Sequence, residues 1–228
     1  PSFHVGNPFA AERNETMSSN RDYSAVDLEV LPESAIPATE YKPLYGTYRT
    51  ESGEQVESTV SYDTAYGWWQ VGTGTEGDPV REVRVRDHFR VMWRAMAAST
   101  GERTLISAVV PPGAASVHTV FGIGFPSSGS AALLGSAASM SSLLSDFLVR
   151  STSASNIFLP VIERLPTVRE EHPLATAAAL RTLRLNSLTD AYADLWRDAY
   201  EPSFTADAWT GGLGRPNRPA LGDVGPEW

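Results

Sequence analysis

The chain has 228 residues, 42% hydrophobic and 20% charged, enough to bury a substantial core as one large or two small domains. No run of about 18 apolar residues exists and no basic segment leads into an apolar one at the start, so neither a membrane span nor a signal peptide is indicated. The absence of cysteine removes disulfides, thiolate nucleophiles and cysteine metal sites and fits a cytoplasmic protein.

The net charge of -9 disfavours nucleic acid in bulk, but it is unevenly spread. Residues 1–63 hold 11 acidic and 4 basic side chains and residues 201–228 hold 4 and 2, which leaves residues 64–200 neutral. Within that middle part Arg81, Arg84, Arg86, Arg90, Arg94 and Arg103 stand against Glu82, Asp87 and Glu102. The four histidines, His4, His88, His118 and His172, form no H-x-x-x-H pair, so a zinc site is not expected. The chain opens on Pro1 rather than methionine, which suggests a piece of a longer protein.

Residues 1–40 mix Asn, Glu, Ser and Pro without a sustained period and read as an irregular acidic arm or linker. From Tyr41 to Val71 aromatic and β-branched residues punctuated by glycine predict short strands and hairpins, with Trp68 and Trp69 facing opposite ways on a strand. Residues 81–96 fit two periods. As a strand they gather Val83, Val85, Phe89, Val91 and Trp93 on one face and Arg84, Arg86, His88, Arg90 and Arg94 on the other, with a break expected at Asp87-His88. As a helix from residue 87, Phe89, Met92, Trp93, Met96 and Ala97 make an equally clean stripe.

Thr104 to Val110 predicts a continuous apolar strand stopped by Pro111-Pro112-Gly113, and His118 to Phe125 a second strand antiparallel to it across that loop. Leu133, Ala137, Met140, Leu144 and Phe147 recur at helical spacing and predict one buried helix from Gly129 to Arg150. Asn156 to Ile162 reads as a short strand, and residues 173–200 as one or two helices. The break is expected near Asn186-Ser187, with Ser187 capping a helix that starts at Leu188. The tail 201–228, rich in glycine and proline, predicts no packed structure from Pro202 onward. The expected fold is α+β: a strand-rich module over residues 41–200, with antiparallel hairpins, a buried central helix and C-terminal helices.

Gly72-Thr-Gly-Thr-Glu-Gly77 matches the dinucleotide fingerprint in letters, but an extended basic segment follows it instead of a helix. A glycine-rich hairpin loop is the ordinary reading. Asn7-Pro-Phe9 lacks the second proline of the N-P-P-F motif of adenine methyltransferases. Ser127-Ser-Gly-Ser130 is no nucleophile elbow, and neither His118 nor His172 has an evident orienting carboxylate. The arginine face of residues 81–94 is the strongest chemical signal. A solvated charged face explains it blandly, whereas guanidinium forks suited to phosphate oxygens or the guanine O6/N7 edge explain it functionally. Seventeen of the eighteen basic residues are arginine, so composition alone does not separate the two.

Arg90-Val-Met-Trp-Arg-Ala-Met-Ala-Ala-Ser-Thr-Gly-Glu-Arg-Thr-Leu-Ile-Ser-Ala-Val-Val-Pro-Pro-Gly113, followed by His118-Thr-Val120, resembles the target-recognition region of large restriction–modification adenine methyltransferases. These include fused type II enzymes and the methylases of BREX- and DISARM-like phage defence. Tyr41-Lys-Pro-Leu-Tyr45, Ala132 to Arg150 and Asn156 to Pro166 are similar to further motifs of that family in the same order. The family's Glu-Gly-Lys is absent after Tyr45, Gly101 stands for its usual Asn, and Thr152-Ser-Ala-Ser155 replaces a glycine pair.

The resemblance implies an α+β module that holds duplex DNA opposite a methyltransferase domain of the same parent polypeptide. S-adenosylmethionine and the catalytic motif would lie in that parent, with no cofactor and no catalytic residue in this chain, and no membrane partner. It favours the strand reading of Phe89 to Met96. The expected DNA contacts are Arg84, Arg86, Arg90 and Arg94, then Trp68, Trp69 and Asn156, with Glu102 and Arg103 structural. Four neutralised phosphates would give a log–log salt slope of about -3.6. The competing reading is a β-rich carbohydrate- or protein-binding module using the surface aromatics.

Overall fold

Residues 90–94 carry apolar side chains on both faces of one strand, which suits a central position with cover on either side. In the computed structural model that position is where they lie. The structure describes residues 2–3, 11–13, 23–25, 27, 30–34, 45–49, 55–59, 67–97, 101–116, 119–152, 155–206 and 224–227. His118 and the Tyr41–Leu44 end of the first motif fall outside them.

The strands, in chain order, are β1 (Ser2–Phe3), β2 (Ala11–Arg13), β3 (Tyr23–Ala25), β4 (Tyr45–Arg49), β5 (Gln55–Thr59), β6 (Trp68–Val71), β7 (Arg81–Arg84), β8 (Arg90–Arg94), β9 (Ser107–Val110), β10 (Ala115–Ser116) and β11 (Val120–Ile123). The helices are α1 (Gly129–Met140), α2 (Leu143–Ser151), α3 (Leu159–Ile162), α4 (Ala175–Asn186) and α5 (Ala193–Ala199). The fold is α+β. The pairs β2–β3, β4–β5 and β6–β7 are two-stranded antiparallel ribbons, and β1 lies parallel to β10.

The segment 81–96 is β, with a single 3-10 turn at Val85–Asp87 separating β7 from β8. Strand β8 occupies the middle of a three-stranded sheet in the order β11-β8-β9. Val91 and Trp93 enter the main core with Leu105, Val109, Leu133, Leu134 and Leu180, while Met92 joins a smaller cluster with Val110, Ala114 and Val120. Each fully buried valine, leucine or methionine side chain among them contributes about 2 kcal/mol.

The two strands expected to pair across Pro111-Pro112-Gly113 do not meet. Both flank β8 antiparallel, Val110 opposite Arg90 on one side and Val120 opposite Arg94 on the other, so β9 and β11 run in the same direction. Alternation patterns mark strands but not their neighbours. The expected strand Thr104–Val110 also begins late, at Ser107, because the N–H groups of Thr104 and Leu105 bond the Asp146 carboxylate instead.

Strand β9 is an edge whose outward peptide groups are closed by side chains. Val109 donates its N–H to Asn186 Oδ1 at 2.8 Å, and the Tyr192 hydroxyl donates to Val109 O at 3.0 Å. Edge pairing with another strand is thereby blocked at that residue. The helix break at Asn186-Ser187 serves this closure, and the next helix starts at Ala193 rather than Leu188, after a 3-10 turn at Asp190–Tyr192. Burial raises the Tyr192 phenol well above its usual pKa. Tyr192→Phe is expected to cost roughly 1–3 kcal/mol in urea denaturation, since it leaves a buried carbonyl without its donor.

The single helix expected from Gly129 to Arg150 is two helices, bent by 61°. Ser142 caps α2 by accepting the Ser145 N–H at 3.1 Å. The bend splits the apolar stripe: Leu133, Ala137 and Met140 are buried, but Leu144 and Phe147 are 57% and 66% exposed. The expected strand Asn156–Ile162 is a single bridge, Met96 with Asn156, followed by α3 with Pro160 in its first turn, where a missing N–H costs nothing. No helix among the described residues is long and apolar enough to cross a membrane.

The limits expected at residues 40 and 201 do not bound the packed core. Leu31 and Val224 pack against it, Phe204 is buried in it, and Glu33 O accepts the Asp190 N–H at 2.7 Å. A 3-10 turn at Pro202–Ala206 carries Phe204 edge-on to Tyr200, and Trp196 Nε1 donates to Gly225 O at 2.9 Å. Scattered apolar residues in a polar segment gave no period to read, yet Leu31, Phe204 and Val224 join the core, while Val30 stays exposed.

Candidate functional site

The ribbon β6–β7 stands apart from the three-stranded sheet as its own two-stranded unit. Its register pairs Trp68 with Arg84, Trp69 with Val83, Gln70 with Glu82 and Val71 with Arg81. Cross-strand partners share a face. One face therefore shows Trp68, Gln70, Glu82 and Arg84, all exposed, and the other carries Trp69, Val71 and Val83, which are covered wholly or in part. Trp68 is 46% exposed, and the Arg84 guanidinium lies over its ring, 5.3 Å from the centroid. Such stacking holds a guanidinium in place while its N–H edge stays available.

The loop that joins the two strands is the glycine-rich stretch. Asp78 closes it: its Oδ2 accepts the Thr73 N–H at 2.8 Å and its carbonyl accepts the Gly74 N–H at 3.0 Å. Gly72 has φ +120, and a Cβ there would lie 2.5 Å from Pro79 O, so the first glycine of the apparent fingerprint is required by hairpin geometry. A strand follows it and not the helix N-terminus that dinucleotide binding needs.

Arg90 is not on a contact face. It is 3% exposed, its Nε donates to His88 O at 3.2 Å, and its Nη2 donates to Ala114 O and, at 3.5 Å, to Pro111 O. Burial pulls its guanidinium down to about 10, against the opposing charge of Asp87, and it remains charged at neutral pH. The expectation that Arg90 contacts DNA is corrected by this placement: a buried arginine that ties three carbonyls together holds the loop after β9. Arg94 is half-buried at the opposite end of β8, roughly 14 Å along the strand from Arg90. Asn156 is bridged beside that same far end. Neither is brought together with the ribbon. Arg86 lies in the turn that follows β7, 3.9 Å from Asp87, and its carbonyl accepts the Gly113 N–H.

Arg103 and Glu102 lie in the turn before β9. Arg103 Nη2 donates to Ser141 O at 2.9 Å and to Ser142 O at 3.3 Å, and its Nε lies 3.6 Å from Asp146 Oδ1. Arg150 Nε approaches Asp146 Oδ2 at 3.1 Å, while its Nη2 reaches the carbonyls of Gly101 and Glu102. Glu102 thus takes part through its backbone, and its side chain is exposed. This node joins the turn to the bend between α1 and α2.

Beside the ribbon runs a groove of about 540 Å³. Trp68, Trp69, Gln70, Val71 and Thr73 line one wall, and Gly124 to Ser128 line the other. Trp69 lies so close to Gly124 that a Cβ there would come within 2.1 Å of its ring. A second cleft, about 290 Å³, lies across the same loop between His88, Phe89, Leu133, Asp194 and Asp198. Gln70, Glu82 and the Gly124–Ser128 wall are not expected at a binding site from the sequence, where Ser127 and Ser128 are weighed only as part of a nucleophile elbow. Alternation over 68–71 and 81–84 could have indicated the first two, but the wall is set by tertiary packing alone.

Comparison with known proteins finds no family model, no curated protein and no solved structure that matches this chain.

Proposed function

We propose that this chain is a duplex-DNA target-recognition module of an adenine-specific, S-adenosylmethionine-dependent methyltransferase, and that the β6–β7 ribbon is its reading element. The observation that carries the proposal is the outward face of Trp68, Gln70, Glu82 and Arg84 on a two-stranded antiparallel ribbon. A two-stranded ribbon fits the major groove. Arginine suits guanine O6/N7, glutamine suits adenine N6/N7, and glutamate accepts from cytosine N4. Arg81, at the loop end of the ribbon on its other face, and Arg86, in the turn after it, supply phosphate contacts for register. The methyl donor, the catalytic motif and most of the phosphate grip belong to the parent protein's methyltransferase domain in this proposal, with the whole acting in the cytoplasm. Exposed Trp68 beside a groove of mixed lining favours, as the second reading, a carbohydrate-binding module.

With Arg90 withdrawn and Arg94 remote, three arginines remain near the ribbon: Arg81, Arg84 and Arg86. With Arg84 on a base edge, Arg81 and Arg86 are left for phosphates, so binding of the chain to a duplex should weaken with salt at a log–log slope of about -1.8 rather than -3.6. Arg84→Ala should lower affinity for the preferred duplex about tenfold, as loss of one bidentate base contact does. Fluorescence anisotropy over a salt series checks both. Salt-independent binding, or an unchanged affinity in Arg84→Ala, would remove the ribbon from the interface.

A further inference from the structure

The register of β6 and β7 fixes which way the peptide groups of β6 point. Val85 donates its N–H to Gly67 O, so Gly67–Val85 is a hydrogen-bonded pair. By alternation Trp69–Val83 and Val71–Arg81 are too, whereas Trp68 and Gln70 turn their N–H and C=O groups away from β7. The groove lies on that side, since none of residues 81–84 lines it. Along its length stand an exposed indole, two outward peptide units, the Gln70 amide and the hydroxyls of Ser127 and Ser128. Ser128 occupies the N-cap position of α1, yet its side chain caps nothing. The floor is held in place, because Trp69 lies against Gly124 with no room for a side chain there.

We propose that this groove receives one unstacked nucleotide of the bound DNA, with its base stacked on Trp68 and its polar edge on the β6 peptide groups and Gln70. The proposal rests on the DNA reading above and names a site within it. Its volume of about 540 Å³ falls inside the roughly 300–1,000 Å³ span of small-ligand clefts. A flat aromatic surface beside sequence-tolerant donors and acceptors is how proteins hold single bases. The guanidinium stacked on Trp68 favours an anionic nucleotide over a neutral sugar ring.

The test compares affinities of the 228-residue chain for a paired 20-base-pair duplex, the same duplex with one unpaired nucleotide, and a neutral oligosaccharide of glucose. The bulged duplex should bind about tenfold tighter than the paired one. Trp68→Ala should bring that ratio to within about twofold, and Gly124→Ala, which displaces Trp69, should do the same while circular dichroism reports a retained fold. Equal affinity for bulged and paired DNA overturns the groove proposal and leaves the ribbon in place. Absence of binding to either DNA overturns both. A tryptophan fluorescence change with the oligosaccharide alone makes the groove a carbohydrate site and overturns both as well.

Discussion

Asp146→Ala is expected to destabilise the chain by about 3 kcal/mol in urea denaturation at neutral pH. The carboxylate is 5% exposed and accepts the N–H groups of Thr104 and Leu105, both at 2.7 Å. Arg103 and Arg150 approach it from two elements. Burial by itself would raise its pKa, but the two N–H bonds, with the arginine charges, hold it below the ordinary 3.8. Removing it leaves two buried peptide donors without that acceptor and two guanidinium groups, still bound to carbonyls, without their carboxylate charge. The value stands at the low end of the roughly 3–5 kcal/mol seen when one partner of a buried pair is lost, because both arginines keep about a third of their side chains in water.

The pH dependence follows from the same shift. A carboxyl whose folded pKa is depressed contributes stability above its unfolded value and loses it as pH falls through the folded one. Wild-type stability should accordingly fall as pH drops below 3.8, and Asp146→Ala should show a shallower fall over that range. Asp146→Asn, which keeps an acceptor oxygen but no charge, should recover part of the neutral-pH loss and none of the pH slope. Identical acid limbs in wild type and Asp146→Ala would remove the carboxylate from this role.

Arg90→Ala is expected to cost about 3 kcal/mol, since the carbonyls of His88, Pro111 and Ala114 lose a charged donor inside the protein. Arg90→Lys should recover less than half, because an ammonium has no planar fork to span carbonyls from two segments. At a temperature where the variant remains folded, Arg90→Ala should leave DNA affinity within about twofold, against the roughly tenfold loss in Arg84→Ala. A tenfold loss on both would return Arg90 to the contact surface.

These two residues also show what the sequence could and could not tell. The alternation of Val83, Val85, Phe89, Val91 and Trp93 marked β structure, and Asp87-His88 marked its interruption, because side-chain period and turn residues are local properties. The same alternation put Arg84 and Arg90 on one face. The 3-10 turn at Val85–Asp87 breaks that face, and the strand order then covers β8 on both sides. Arg84 stays outside and Arg90 goes in. Nothing within a few residues of Arg90 signals that the carbonyls of Pro111 and Ala114 will need it. The stripe from Leu133 to Phe147 ran across Ser141-Ser142 for a similar reason: the bend depends on Arg103 binding the carbonyls of those serines from a distant turn. The ribbon face was half legible, as adjacent tryptophans facing opposite ways, while its groove wall at Gly124–Ser128 was not.

The position of β8 between two strands that follow it bears on the order in which the molecule folds. Strand β9 can pair with β8 after a short loop closes, but β11 can dock only once the chain has travelled back along the sheet, so the second edge of β8 is satisfied late. Until then Trp93 and Val91 sit on a strand with one side unpaired. The bonds of Arg90 to the Pro111 and Ala114 carbonyls fasten the start of the segment that makes that return, so the residue acts as a catch on the path to the last strand.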